Sequence, residues 1–467
     1  MTRRIPSSTR LTEAFLLALV FLAASLGFGL LAVGLQMNAN LSAQESGSPW
    51  AGLPGAMLPP LVIGLTTAGL HVLLRGRRMQ FEQLILPVTG LLFTIGLLLI
   101  WRLQGPSGAW QQLLRGYLPG MLVAGALILR PHWIERLRRS AVPFSLVALL
   151  LPLATGIFGV VDETGARLAL KLGPLPAIQP SEIIKLALVV FLAWYIDREG
   201  REAEGRARPI LGWLRLPALH YFLPGAVFVA LTTLALVQMA DFGAVLILAC
   251  IFAGMLFVGF ETRIFLTAGA IGLVLALLVA LVLSLTWEVP TVIQYRFLAF
   301  LDPWSEELIL LDGQSTGVTI AEGPGYQIQQ AIYALVSGGF GGAGLGFGSP
   351  QYVPLAHSDF IFAAIVEELG LATGLAVLGL FVVLLLRIAR VALLLPPQQV
   401  FERLLLAGIC IHFFVQVLVM VGGTLNLFPL TGVTIPFLSQ GGMALLVNLT
   451  EIGLALGAAQ RLEAQAA

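Results

Sequence analysis

Residues 12–36 read TEAFLLALVFLAASLGFGLLAVGLQ. After Glu13 no charged side chain interrupts the run as far as Gln36. Wound as a helix at 1.5 Å per residue, it climbs about 37 Å. The hydrocarbon core of a bilayer is only ~30 Å thick. Arg3, Arg4 and Arg10 come before the run and no A-x-A cleavage site follows it, so it reads as an uncleaved first membrane span. Apolar runs of this kind recur near 53–75, 81–101, 112–129, 141–160, 181–197, 217–238, 241–260, 263–286, 358–386, 402–424 and 439–459. The expected fold is therefore all-α, a polytopic membrane protein with about twelve transmembrane helices.

Composition agrees. Of 467 residues, 58% are hydrophobic and 11% charged, where a soluble domain carries about 25% charged residues. That is too little polar surface to cover a water-soluble globule. The net charge of +1 offers no field for nucleic acid, and none is expected as a partner. Cys250 and Cys410 lie far apart in apolar runs and read as small buried hydrophobes. The five histidines show no metal-ligand spacing.

Arginine placement orients the chain. Arg75, Arg77 and Arg78 follow the second run, Arg130, Arg136, Arg138 and Arg139 the fourth, and Arg198, Arg201, Arg206, Arg208 and Arg215 the sixth. Arg387, Arg390 and Arg403 surround the loop after the tenth. The alternate loops hold only Arg102, Arg115, Arg167, Lys171 and Arg296. By the positive-inside rule both termini face the cytoplasm, and the long loop 287–357 is extracytoplasmic. Loops beyond about 15 residues are usually functional or disordered. The aromatic and apolar content of this one predicts that it folds back onto the helices.

Within it, FLDPWSEELILLDGQSTG at 300–317 gathers Asp302, Glu306, Glu307 and Asp312, with only Arg296 as a nearby cation. Other polar motifs also fall at the outer ends of runs. In AIQPSEIIKLALVV, Ser181 can cap a helix start, and Glu182 and Lys185 share a face. Asp241 sits in a tight outer turn, and Arg167, Lys171 and Lys185 are the outer cations available to an anion such as phosphate. In AHSDFIFAAIVEELG, His357, Ser358 and Asp359 stand at the mouth of a run, where Ser358 or Asp359 could cap the helix. Glu367 and Glu368 come roughly 12 Å deeper, which demands a cavity, a polar partner or the opposite interface. The glycine-rich 338–348 lacks the frame of a nucleotide loop and reads as a closely packed or flexible turn. NLFPLTGVTIPFLSQGG is a Pro- and Gly-punctuated outer segment, of the non-helical kind that lines a cavity or is buried in protein.

Taken in order, these segments resemble the SEDS family (shape, elongation, division and sporulation; RodA/FtsW-like). The resemblance covers about 165–460. It rests on GAR at 165–167, QPSEIIK at 179–185, DFG at 241–243, GYQIQQ at 325–330, HSDFIFAAIVEELG at 357–370 and PLTGVTIPFLSQGG at 429–442. It implies a ten-helix glycosyltransferase core, here 111–467, preceded by an N-terminal region 1–110 that includes two extra spans. It implies polymerisation of lipid II into peptidoglycan at the outer face of the bacterial cytoplasmic (inner) membrane, in elongation or division, with a class B penicillin-binding protein as partner. The substrate-binding residues it implies are Arg167, Glu182, Lys185, Asp241, Gln327, His357, Ser358, Asp359 and Ser439. Where the family has its essential second aspartate after Pro-Trp, this chain has Glu306, the expected general base, with Asp302 and Asp312 as alternatives. Leu168, Ala169 and Leu355 also depart from the family pattern. The leaving pyrophosphate would be stabilised by Arg167, Lys185 or a divalent cation (Mg or Mn), with no organic cofactor. Two other readings stay open: a catalytically degenerate scaffold for a penicillin-binding protein, and a lipid-linked saccharide transporter.

Overall fold

The computed structural model describes residues 10–466 apart from 44–47, 49, 51, 78, 80–81, 131, 160–168, 172–176, 207, 212–213, 217–220, 222, 240, 261–290 and 312–313. It is a helical bundle. In order come α1 (Leu11–Ala43), α2 (Leu58–Gly76), α3 (Ile85–Gln112), α4 (Leu118–Leu129), α5 (Ala141–Phe158), α6 (Pro180–Gly205), α7 (Leu223–Gln238) and α8 (Phe242–Gly259). Then follow α9 (Thr291–Leu301), α10 (Pro324–Gly338), α11 (Ile361–Leu394), α12 (Val400–Thr424) and α13 (Gly442–Ala466). Two short antiparallel hairpins sit in loops: β1 (Arg208–Leu211) with β2 (Leu214–Leu216), and β3 (Leu308–Leu311) with β4 (Gln314–Thr319). Among the described residues, eight helical stretches are long and apolar enough to cross a membrane. The expected run at 263–286 lies outside the described residues.

One of those stretches, 85–129, is two limbs. Gly105 adopts φ 69° and ψ −172° just before Pro106. The rings of Phe93 and Tyr117 stack at 4.2 Å, whereas an unbroken helix would hold them about 36 Å apart. The chain therefore reverses at Gly105, and the expected runs 81–101 and 112–129 are its two limbs. A second reversal falls at Gly370 (φ 86°, ψ 162°) inside α11. A Cβ on Gly374 would stand 2.9 Å from Cγ2 of Val366, although eight helical residues climb about 12 Å. Residues 361–369 are a short limb folded back on 371–394. Only glycine fits the reversal, because a Cβ on Gly370 would meet the Phe340 carbonyl oxygen at 2.3 Å.

This corrects two expectations. The tenth span begins after Gly370 and not near 358. Glu367 and Glu368 are not a turn-by-turn descent into the membrane: they stand at the fold-back, level with Arg102 near the Gly105 reversal. Glu368 Oε1 accepts from Arg102 Nε at 2.8 Å, and Glu368 Oε2 accepts from the Gly346 amide at 3.1 Å. Glu367 Oε1 accepts from the Ser349 amide at 2.8 Å. The pair thus has polar partners and fastens the glycine-rich turn, which is closely packed.

Ion pairs mark the opposite end of the bundle. Arg387 pairs with Glu82 at 2.9 Å, Arg138 with Asp197 at 2.7 Å and Arg461 with Glu402 at 2.8 Å. Arg10 adds pairs with Glu13 and with the carbonyl of Glu82, so α1 is fastened to the start of α3. The described part of loop 287–357 folds back on the bundle as expected. Ala299, Ile320 and Ile328 form its own small core. Asn426 donates to the Phe300 carbonyl at 3.1 Å. Gly338 packs so close to α11 that a Cβ there would meet the Val366 carbonyl oxygen at 2.1 Å.

Candidate functional site

At the end of the bundle away from the arginine pairs lies a cavity of about 210 Å³. Its walls are Gln179, Ser181, Glu182 and Lys185 from the start of α6, Asp241 and Ala244 from α8, Arg296 from α9, Asp359, and the non-helical strip Thr431–Thr434. Pro180 opens α6, where a proline costs no hydrogen bond. One turn then sets Glu182 and Lys185 side by side. The Lys185 side chain is 2% exposed, and its Nζ lies 2.8 Å from Glu182 Oε2. A buried ammonium is costly to keep and calls for a use.

Asp241 caps α8, its Oδ1 accepting from the Ala244 amide at 3.1 Å. Burial pushes its carboxyl pKa up; the Ala244 amide, the Ser181 hydroxyl and Lys185 pull it back, and Glu182 adds to the rise. Burial likewise raises Asp359 to about 6, against the opposing pull of Ser358 and Arg296. Gly243 lets α8 reach the far wall, since a Cβ there would meet the Thr431 carbonyl oxygen at 2.4 Å. Gly432 has φ 67°, and a Cβ on it would come within 3.5 Å of Asp359 Oδ2.

Four sequence-predicted residues, Glu182, Lys185, Asp241 and Asp359, therefore converge. Three others brace the site through the backbone. Ser439 Oγ donates to the Ser358 carbonyl at 2.7 Å and accepts from the Ile435 amide at 2.9 Å. The Gln440 amide donates to the His357 carbonyl at 2.9 Å. The His357 imidazole is half-buried, and burial lowers its pKa. Neither Ser358 nor Asp359 caps α11, whose N-cap is Phe360. Gln327 is half-buried on α10 and is not part of the wall. Glu306 and Asp302 are exposed and also stand outside it; Asp302 Oδ1 accepts from the Trp304 amide at 3.0 Å. Lys171 is exposed. Arg167 and Asp312 lie outside the described residues. Sequence reasoning passed over Arg296 as a wall residue. Its signal was present, because it is the one cation near the loop's carboxylates.

The cavity offers two cations and three carboxylates: Glu182 and Lys185 are buried, Asp241 and Asp359 half-buried, and Arg296 is exposed at the rim. Lys185 and Arg296 can hold an anion, and the carboxylates can hold hydroxyl groups or exchange protons. Among the described residues no three His, Cys, Asp or Glu side chains stand close enough together to hold a metal ion.

Fold and site together define a multi-pass membrane protein with a buried polar site at one end. The chain belongs to the cell cycle protein family of FtsW, RodA and SpoVE, whose model matches residues 78–463. It is 34% identical over 337 residues to the probable peptidoglycan glycosyltransferase FtsW of Trichlorobacter lovleyi, covering 71% of this chain and 79% of that one. It is 30% identical over 433 residues to the peptidoglycan glycosyltransferase RodA of Mycobacterium tuberculosis, covering 87% and 82%. A solved chain from a peptidoglycan synthase complex that coordinates polymerization and crosslinking superposes with a TM-score of 0.65 at 26% identity, over 82% of this chain and 99% of that one. α1 and α2 precede the part that the family model matches.

Proposed function

We propose that this protein is a peptidoglycan glycosyltransferase that polymerises lipid II. The observation that carries the reading is the convergence of Glu182, Lys185, Asp241, Arg296 and Asp359 on one cavity, in a chain whose relatives are named as such enzymes. An acceptor sugar hydroxyl attacks the anomeric carbon of the lipid-linked donor. The bond from that carbon to the pyrophosphate oxygen breaks, and polyprenyl pyrophosphate leaves. Lys185 and Arg296 neutralise the charge that develops on the leaving group. Glu306, exposed after the helix that carries Arg296, takes the acceptor proton as general base.

Orientation follows from the arginines: both termini in the cytoplasm of a bacterium, and the cavity at the outer face of its cytoplasmic membrane. A polymerase there needs a crosslinking partner, and the resemblance supplies a class B penicillin-binding protein. The experiment is polymerisation of labelled lipid II by the purified protein with that partner. Glu306→Gln should lower the rate at least about 100-fold, on the scale of lost general-base help. Glu306→Asp should keep or raise activity. A Glu306→Gln rate near wild type, with Asp302→Asn or Asp312→Asn dead, reassigns the base within the loop. If no variant in this loop slows a working polymerase, the loop does not carry the chemistry.

A further inference from the structure

Midway along α12 and α13, His412 and Glu451 face each other, neither side chain exposed to solvent. His412 Nδ1 lies 2.9 and 3.1 Å from the two Glu451 carboxylate oxygens. The two helices run antiparallel, and two rungs fix their register: Glu402 opposite Arg461 at the arginine-rich end, and His412 opposite Glu451 at mid-depth. One more turn toward the cavity brings Gln416 level with Asn448. Three polar atoms on these turns are buried without a hydrogen-bond partner in the protein: His412 Nε2, Gln416 Oε1 and Asn448 Oδ1.

The Gln416 amide is oriented by its other atom. Its Nε2 donates to the Thr434 carbonyl at 2.8 Å, so Oε1 is the end left over. Thr434 belongs to the cavity wall. A buried polar atom without a partner costs more than an ordinary hydrogen bond gains. At mid-depth in a bilayer, neither solvent nor lipid tails can satisfy it. Three such atoms on adjoining turns call for a shared hydrogen-bonding guest. Two neutral amide oxygens and an imidazole nitrogen fall short of the six or so oxygens a hard cation takes. Water, which can donate to amide oxygens and to an imidazole nitrogen alike, suits them.

We propose that the α12–α13 seam is an internal water site. Water there donates to Gln416 Oε1 and Asn448 Oδ1 and meets His412 Nε2. The hydrated rung holds the Gln416 amide, which makes Gln416 a positioning residue for the Thr434 wall. The site stands whatever reaction the cavity serves.

Two measurements on the detergent-solubilised full chain test it without reference to activity. Hydroxyl-radical footprinting by X-ray radiolysis labels side chains beside bound water even where bulk solvent is excluded. Phe413, buried next to His412, should label at least ten-fold faster than the equally buried Phe93, and Asn448→Leu should remove the excess. Hydrogen–deuterium exchange should quicken at least ten-fold in 431–435 for Gln416→Leu, with 371–394 unchanged. Equal labelling of Phe413 and Phe93 in the wild-type protein overturns the water site even if Asn448→Leu fails to fold. Unchanged exchange in Gln416→Leu overturns the positioning role. A melting temperature that rises when sodium or potassium replaces choline at fixed ionic strength assigns the seam to a cation instead, and overturns the proposal.

Discussion

Asp359→Asn keeps the shape of the side chain and removes its charge. Burial holds this carboxyl at about 6 instead of 3.8, with Ser358 and Arg296 pulling the other way. The unfolded chain releases the proton near 3.8 and the folded chain near 6. Between those values the folded state carries a proton that the unfolded state lacks. The contribution of Asp359 to stability is therefore intact below about 3.8 and is lost as pH rises through 6. At neutral pH the folded state pays about 3 kcal/mol for the ionised group, at 1.36 kcal/mol per pH unit. Unfolding entropy for a chain this long is about 1 kcal/mol/K, so the same quantity is about 3 °C in Tm. Asp359→Asn should raise Tm by about 3 °C at pH 7.5 and by less than about 1 °C at pH 4. Thermal unfolding in detergent, followed by tryptophan fluorescence at constant ionic strength, reads both. The same variant should be inactive with lipid II. An unchanged or lower Tm at pH 7.5, or a gain of equal size at both pH values, refutes the reasoning.

Lys185→Met should abolish polymerisation and lower Tm, because it strips Glu182 of its ion-pair partner, while folded protein is still recovered; loss of folded protein would make the pair structural. Gly370→Ala should cost the fold several kcal/mol, on the scale of a buried clash with backbone, and should appear as a large drop in Tm or in yield; a normal Tm would show that the reversal is not fixed by this contact. A tag near Gln314 should be reached by a membrane-impermeant reagent only from outside intact cells, and one near Gly205 only from the cytoplasm. Labelling of both from the same side would sink the orientation.

The membrane spans were legible because burial in hydrocarbon demands uninterrupted apolar runs, and α1 shows one at a glance. The four wall residues Glu182, Lys185, Asp241 and Asp359 were legible for the converse reason: a charge at the edge of such a run needs a partner. The reversal at Gly370 was hidden. EELGLATG reads as continuous helix, and nothing local in it says that φ turns positive where the Phe340 carbonyl approaches. The supposed depth of Glu367 and Glu368 failed with it. Arg296 was seen only as a neighbour of the loop carboxylates, since which helix end reaches the cavity depends on how 291–338 folds back. The seam between His412 and Glu451 escaped notice because two polar residues a membrane helix apart look incidental until the antiparallel register pairs them.

Glycan synthesis by this chain can be measured directly. The most direct measurement is the length distribution of product formed from labelled lipid II by the purified protein and a class B penicillin-binding protein, with the partner's crosslinking site blocked. Glycan chains with the wild-type protein, absent with Lys185→Met at equal folded concentration, are the expected result. Unconsumed lipid II in both samples, with the complex intact, would contradict the account and leave the protein a scaffold.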